Sequence, residues 1–171
     1  MSEAPREARA ADAGRPGEGL PDAGLPDAGP PGEAQPSERP PSARIVRLPG
    51  DPPSPWEDVN GFSRVVRAGQ LVILAGTTSV GPGGVILGET PYDQTVEILR
   101  KVERELGRAG ASTSDVVQVR IYVVDITRGE EVGRAHAEVF GDSRPAMAMV
   151  EVSALYDPRM LVEVEVMAVV G

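Results

Sequence analysis

Glu163 and Glu165 stand two residues apart in Leu161-Val-Glu-Val-Glu-Val-Met-Ala-Val169, a run that is otherwise apolar. Strict alternation over such a run predicts a β-strand. The period of two places both carboxylates on one face with Leu161 and Met167, and Val162, Val164, Val166 and Ala168 on the other. A carboxylate on an apolar strand is costly to bury, so the acidic face is either half-solvated or lines a cavity or interface. In a cavity, a carboxylate orients water, exchanges a proton or pairs with a cation. Upstream, Ala146–Val152 predicts a second alternating strand that carries Met147 and Met149, with a turn at Asp157-Pro158 between the two.

Other chemistries are narrowed by composition. The chain of 171 residues has no cysteine, which removes disulfides, thiolate catalysis and cysteine-ligated metals. Its one histidine, His136, cannot build a multi-histidine metal site, and no metal or cofactor is expected. On the apolar stripe beside Ala135 and before Val139, it reads as a helix-face histidine rather than a general base. A net charge of −9 argues against nucleic acid as a partner, because neutralising phosphates takes clustered Lys and Arg. The run Arg100-Lys101, Arg104, Arg108 interleaves with Glu97, Glu103 and Glu105 at helical spacing and reads as an ion-paired solvated face. Gly81-Pro-Gly-Gly84 lacks the Lys-Ser/Thr of a phosphate loop. Neither a membrane span nor a signal peptide is recognisable, so a soluble cytoplasmic protein is expected.

The elements that must position these residues begin near residue 50. Thirteen of the 17 prolines lie at or before Pro55. Leu20-Pro-Asp-Ala-Gly24 repeats at once as Leu25-Pro-Asp-Ala-Gly29. With almost no large apolar residue before Ile45, residues 1–48 are expected to be a disordered extension and residues 49–171 the folded domain. From Trp56 onward the pattern reads strand, strand, helix, strand, helix, strand, strand. Ser63–Arg67 and Leu71–Ala75 form a hairpin. Thr90-Pro91-Tyr92-Asp93 opens a helix with the stripe Tyr92, Val96, Leu99, Val102 and Leu106. A strand follows over Asp115–Asp125, then a helix opened by Thr127-x-x-Glu130. This order predicts an α/β (α+β) domain: a mixed sheet covered on one face by two helices.

Pro145-Ala-x-Ala-x-Val-Glu-Val152, followed by Leu161-Val-Glu-Val-Glu165, resembles the signature of the RidA (YjgF) family. Trp56-Glu57, Gly61-Phe-Ser-Arg-Val-Val-Arg67, Ala75-Gly-Thr-Thr78, Gln94-Thr95 and Val119–Val123 extend the resemblance over residues 56–171. It implies a chorismate-mutase-like fold assembled as a homotrimer, with a small-molecule ligand in clefts between subunits. Deaminases of the family grip a substrate carboxylate with an arginine, while a glutamate and a backbone carbonyl orient the attacking water. Carried onto this chain, the glutamate is Glu163 and the arginine position is Met147. Met149 stands where cysteine is frequent, and Phe62 stands where a tyrosine is usual.

A thioether cannot replace a bidentate guanidinium. Losing such an anchor costs about 2–5 kcal/mol, so 2-iminobutanoate should bind poorly. Arg64, Arg120 and Arg144 are the other guanidiniums that could take over, and Arg120 is included among the expected binding residues. Two functions follow. One is an imine or enamine hydrolase using Glu163. The other is a non-catalytic small-molecule-binding or regulatory trimer that keeps the cleft without the chemistry.

Overall fold

A computed structural model describes residues 44–171 of the chain. Residues 1–43, and with them most of the expected disordered extension, lie outside the described residues. The domain holds six strands: β1 (Ile45–Leu48), β2 (Val65–Ala68), β3 (Leu71–Thr77), β4 (Val116–Val123), β5 (Ala146–Glu151) and β6 (Val162–Val169). Its helices are α1 (Pro55–Asn60), α2 (Pro91–Arg108) and α3 (Gly129–Phe140). The strands form one mixed sheet in the order β1-β2-β3-β6-β4-β5.

Two elements depart from the expected order. Residues 45–48, expected to lie in the extension, belong to the sheet, pairing antiparallel with β2 from Ile45↔Ala68 to Leu48↔Val65. Helix α1 fills what reads as a proline-rich lead-in. Ser54 caps it in a reciprocal box with Glu57, and Gly61 closes it at φ 67°, a left-handed conformation that favours glycine. Deleting residues 44–48 from a 44–171 fragment should therefore lower its melting temperature by several degrees, because the ladder to β2 and the packing of Leu48 on the core are lost. Differential scanning calorimetry of the two fragments is the check, and equal melting temperatures would rule out a structural role for β1.

Helix α2 forms as its sequence dictates. Thr90 accepts from the Asp93 N–H, Asp93 accepts in return from the Thr90 N–H, and Pro91 occupies the first turn. Its buried side includes Ile98, Leu99, Val102 and Leu106, whereas Tyr92 and Val96 are only half-buried. Helix α3 departs from expectation, since Thr127 does not cap it. The Thr127 hydroxyl instead donates to Asp125 (2.6 Å), which caps a short 3₁₀ turn at Ile126–Arg128.

In β6 the alternation is realised: Val162, Val164, Val166 and Ala168 are buried, and Glu163, Glu165 and Met167 are half-buried on the opposite face. Each buried valine contributes about 1.5–3 kcal/mol, which sets the register strongly, since a one-residue slip would bury the two glutamates instead. The valines meet Val119, Ile121 and Leu74 beneath the helices in one core. Strands β5 and β6 are joined through the Asp157-Pro158 region but do not pair. β4 lies between them, parallel to β5 and antiparallel to β6.

Candidate active site

The face of the sheet opposite the helices carries the polar chemistry. Cross-strand pairing sets Tyr122 opposite Glu163 and Arg120 opposite Glu165. Arg120 Nη1 lies 3.7 Å from Glu165 Oε2, and the Tyr122 hydroxyl donates to the same oxygen at 3.2 Å. Ile73, Ala75, Gln118 and Met167 complete the wall of a shallow depression of about 150 Å³ beside this pair.

Glu163 stands apart from that network. Its carboxylate accepts no hydrogen bond from any described residue and lies directly over Gly76, where a β-carbon would come within 1.9 Å of Oε1. The ladder between β3 and β6 shifts register between Leu74 and Thr77. That irregularity brings the glycine beneath the acid, a common use of a bulge beside a site. Burial pushes the Glu163 carboxyl above the ordinary glutamate range. The Glu165 charge adds to the rise, and Arg64 pulls against it.

Arg64 reaches the same glycine from the other side. Its Nη1 donates to the Gly76 carbonyl at 2.7 Å and to Thr77 Oγ1 at 3.3 Å, and its Nε lies 3.7 Å from Glu57 Oε1. Phe62 faces the guanidinium, with Cζ 5.4 Å from the ring centroid. One shell further out, the chain's sole lysine, Lys101, donates to the carbonyls of Thr78 (2.8 Å) and Val80 and so fixes the segment after β3. Burial lowers its ammonium pKa to about 8.

The structure thus sets Glu163 over Gly76, stacks Phe62 against the Arg64 guanidinium that binds the carbonyl of the same glycine, and puts Arg120 on the same face of the sheet as Glu163, paired with Glu165. Met147 and Met149 are not part of this cluster within one chain. They pair in register with Val119 and Ile121, which places them on the helix-side face at the β5 edge. Met149 packs against the core, and Met147 is 47% exposed. His136 sits half-buried on α3 with its ring 4.9 Å from Phe140, remote in sequence and element from Glu163. Among the described residues no cluster of three or more His, Asp or Glu could hold a metal, and no helix is long and apolar enough to cross a membrane.

Sequence reading missed Glu57 and Gly76 as site residues. Ser54-Pro-Trp-Glu57 does carry a capping-box spacing that announces the first. Nothing local announces the second. Gly76→Ala should leave the melting temperature nearly unchanged, because the atom that the new methyl group meets is the mobile end of a side chain. It should nevertheless displace the carboxylate and remove whatever function depends on Glu163. A crystal structure of the variant with Glu163 unmoved would contradict this.

A six-stranded mixed sheet with two helices on one face, and an acid over a glycine on the other, defines a mixed α/β domain with its polar residues on the open face of the sheet. The endoribonuclease L-PSP family model matches residues 54–170, and the chain belongs to that family, also known as YjgF/RidA. It is similar to Rv2704 of Mycobacterium tuberculosis, a solved member of the YjgF/YER057c/UK114 family. The two share 46% identity over 74% of this chain and all of that one, with a TM-score of 0.67. A Streptomyces coelicolor protein, SCO2049, is 38% identical over 69% of this chain and 88% of its own length. The chloroplastic Reactive Intermediate Deaminase A of Arabidopsis thaliana is 30% identical over 55% of this chain and 51% of its own length.

Proposed function

We propose that this protein hydrolyses the C=N bond of small imines or their enamine tautomers, with Glu163 handling the water and its proton. The observation that carries this reading is the Glu163 carboxylate itself. It is half-buried, without a hydrogen-bond donor among the described residues, raised in pKa by burial, and placed over a glycine that leaves room beside it. A carboxylate so raised is a better base once ionised and a usable acid when protonated. Glu163 takes a proton from water as the water oxygen bonds to the carbon of the imine, which reacts in its N-protonated form. Glu163 then returns that proton to the nitrogen of the resulting neutral carbinolamine. The C–N bond breaks as the hydroxyl proton passes to Glu163 or solvent, and ammonia and a carbonyl product leave. Similarity to a protein named as a reactive intermediate deaminase supports the same class of reaction.

The reading includes assembly as a homotrimer whose clefts complete the site. Support comes from the apolar side chains left exposed on the open face and at β5, among them Ile73, Met147 and Val150. It also comes from the separation of Met147 and Met149 from Glu163 within one chain, since a cleft between copies is where such residues could meet. A monomeric mass for the 44–171 fragment in sedimentation at micromolar concentration would end that part of the proposal.

Met147 and Phe62 favour a second reading, a binding trimer without turnover, because a guanidinium and a hydroxyl of the deaminase pattern are both missing. Ammonia release from freshly generated 2-iminobutanoate and from a panel of neutral imines separates the two. Turnover above the uncatalysed rate on any of them, lost in Glu163→Gln, supports the hydrolase. No turnover on the whole panel supports the binder.

A further inference from the structure

Among the arginines that could serve the Glu163 locus, Arg64 is the most constrained. Its side chain is 14% exposed against 50% for Arg120. Hydrogen bonds to Gly76 and Thr77 hold Nη1, Glu57 faces Nε, and the Phe62 ring lies across the guanidinium. Glu57 is fixed in turn by the backbone, accepting from the Gly50 N–H at 3.0 Å and the Ser54 N–H at 3.1 Å. Those two donors share the Glu57 charge, so it neutralises Arg64 only in part. Nη2 has no hydrogen-bond partner among the described residues, and it is not sealed from solvent.

Arg64 and Glu163 therefore approach Gly76 from two directions, one on its carbonyl and the other over its α-carbon, without forming an ion pair with each other. Near Gly76 there is thus an unpartnered guanidinium nitrogen, Arg64 Nη2, and an unpartnered acceptor, the Glu163 carboxylate, too far apart to pair with each other. The other two guanidiniums are less suited. Arg120 is answered across the strand by Glu165, and Arg144 lies in the α3–β5 connection, where its Nε donates to the Gly141 carbonyl.

We propose that Arg64 binds the anionic group of the ligand, with Glu57 as its positioning residue, in place of the guanidinium that residue 147 lacks. The inference rests on the Glu163 reading of the same site and adds its ligand class: a small carboxylate-bearing imine or the corresponding oxo acid. The two N–H groups of Nη2, the nitrogen left without a partner, are the donors that a carboxylate oxygen would accept from. An anion held there puts the adjoining C=N or C=O carbon above Gly76, within reach of water at Glu163, with the Phe62 ring beside the remainder.

The test is calorimetric titration with 2-oxobutanoate, the stable oxo counterpart of an imino acid, and with 2-oxobutanamide, which has the same outline and no charge. Wild type should prefer the anion by roughly tenfold or more. Arg64→Lys should weaken anion binding roughly three- to tenfold, since charge remains but the fixed planar Nη2 donors are lost. Arg64→Met should abolish the preference. Because that variant leaves Glu57 buried and unpaired, Arg64→Met with Glu57→Gln provides the same reading in a charge-balanced background. Equal binding of both compounds by wild type, or a preference that survives in either folded methionine variant, overturns the proposal. An Arg64-dependent preference without ammonia release leaves the anchor standing and removes the hydrolase. Glu163-dependent ammonia release with a preference indifferent to Arg64 does the reverse.

Discussion

Glu163→Gln is expected to lower imine turnover by roughly 10²–10⁴-fold and, at the same time, to raise the melting temperature at neutral pH. The first effect follows from removing the carboxylate that lies over Gly76 and can take up a proton. The second follows from linkage. In the folded state the Glu163 carboxyl holds its proton to a higher pH than in the unfolded chain, because burial and Glu165 outweigh the attraction of Arg64. Stability tied to this group is therefore greatest at low pH. It falls as pH rises through the interval between the ordinary glutamate value and the raised one. Glutamine carries no charge to bury and should flatten that slope. Thermal melts of both proteins at about pH 4 and about pH 8 check the sign, and a variant less stable than wild type at the higher pH would show Glu163 to be a structural acid. Turnover should fall on acidification with an apparent pKa above that of a free glutamate, since the ionised form does the work.

Gln94→Leu is expected to cost about 2–6 kcal/mol of stability, although the two side chains are similar in size. Gln94 is fully buried on α2. Its Nε2 donates to the carbonyls of Gly88 (3.2 Å) and Arg159 (2.9 Å), and its Oε1 accepts from the Leu161 N–H at 2.8 Å. One amide thus ties the helix to the loop before it and to the start of β6. Leucine would leave the Gly88 and Arg159 carbonyls and the Leu161 N–H without their partner, and each of these groups that water does not reach adds a desolvation penalty to the lost hydrogen bond. Gln94→Glu retains the acceptor for Leu161 and should fall between wild type and leucine. Because Leu161 precedes Glu163 by two residues, turnover should drop in the leucine variant even where it remains folded. Urea denaturation of the three proteins orders them, and a leucine variant as stable as wild type would remove Gln94 from this role.

What could be read from the chain alone divides along local and non-local lines. The faces of β6 and the Thr90–Asp93 cap are written in consecutive residues, and the structure reproduces both. Family membership was legible for the same reason, since its motifs are short and ordered. Strand β1 was not, because four residues after a proline-rich stretch carry no period and gain their structure only from β2, some twenty positions on. Helix α1 is too short for a periodic stripe, though its cap was visible. The alternation of β5 shows that Met147 and Met149 share a face. Which face follows only from parallel pairing with β4, and that pairing separates them from Glu163. The convergence of Arg64 and Glu163 on Gly76 joins the β2–β3 hairpin to the last strand of the domain, so the sequence could list Arg64 among three arginines and go no further.

The position of β6 in the sheet order has a consequence for biosynthesis. The strand farthest along the chain from β1 lies between β3 and β4, near the middle of the sheet. While a ribosome is still adding residues 162–169, the nascent domain can hold only two partial sheets, β1-β2-β3 and β4-β5, each with an unpaired edge and apolar residues uncovered. Such edges invite pairing with other chains. Folding must wait for β6 to thread between the two halves, a closure across long sequence separations that slows the final step. The same strand delivers Glu163, so the core closes and the carboxylate reaches its place over Gly76 in a single event.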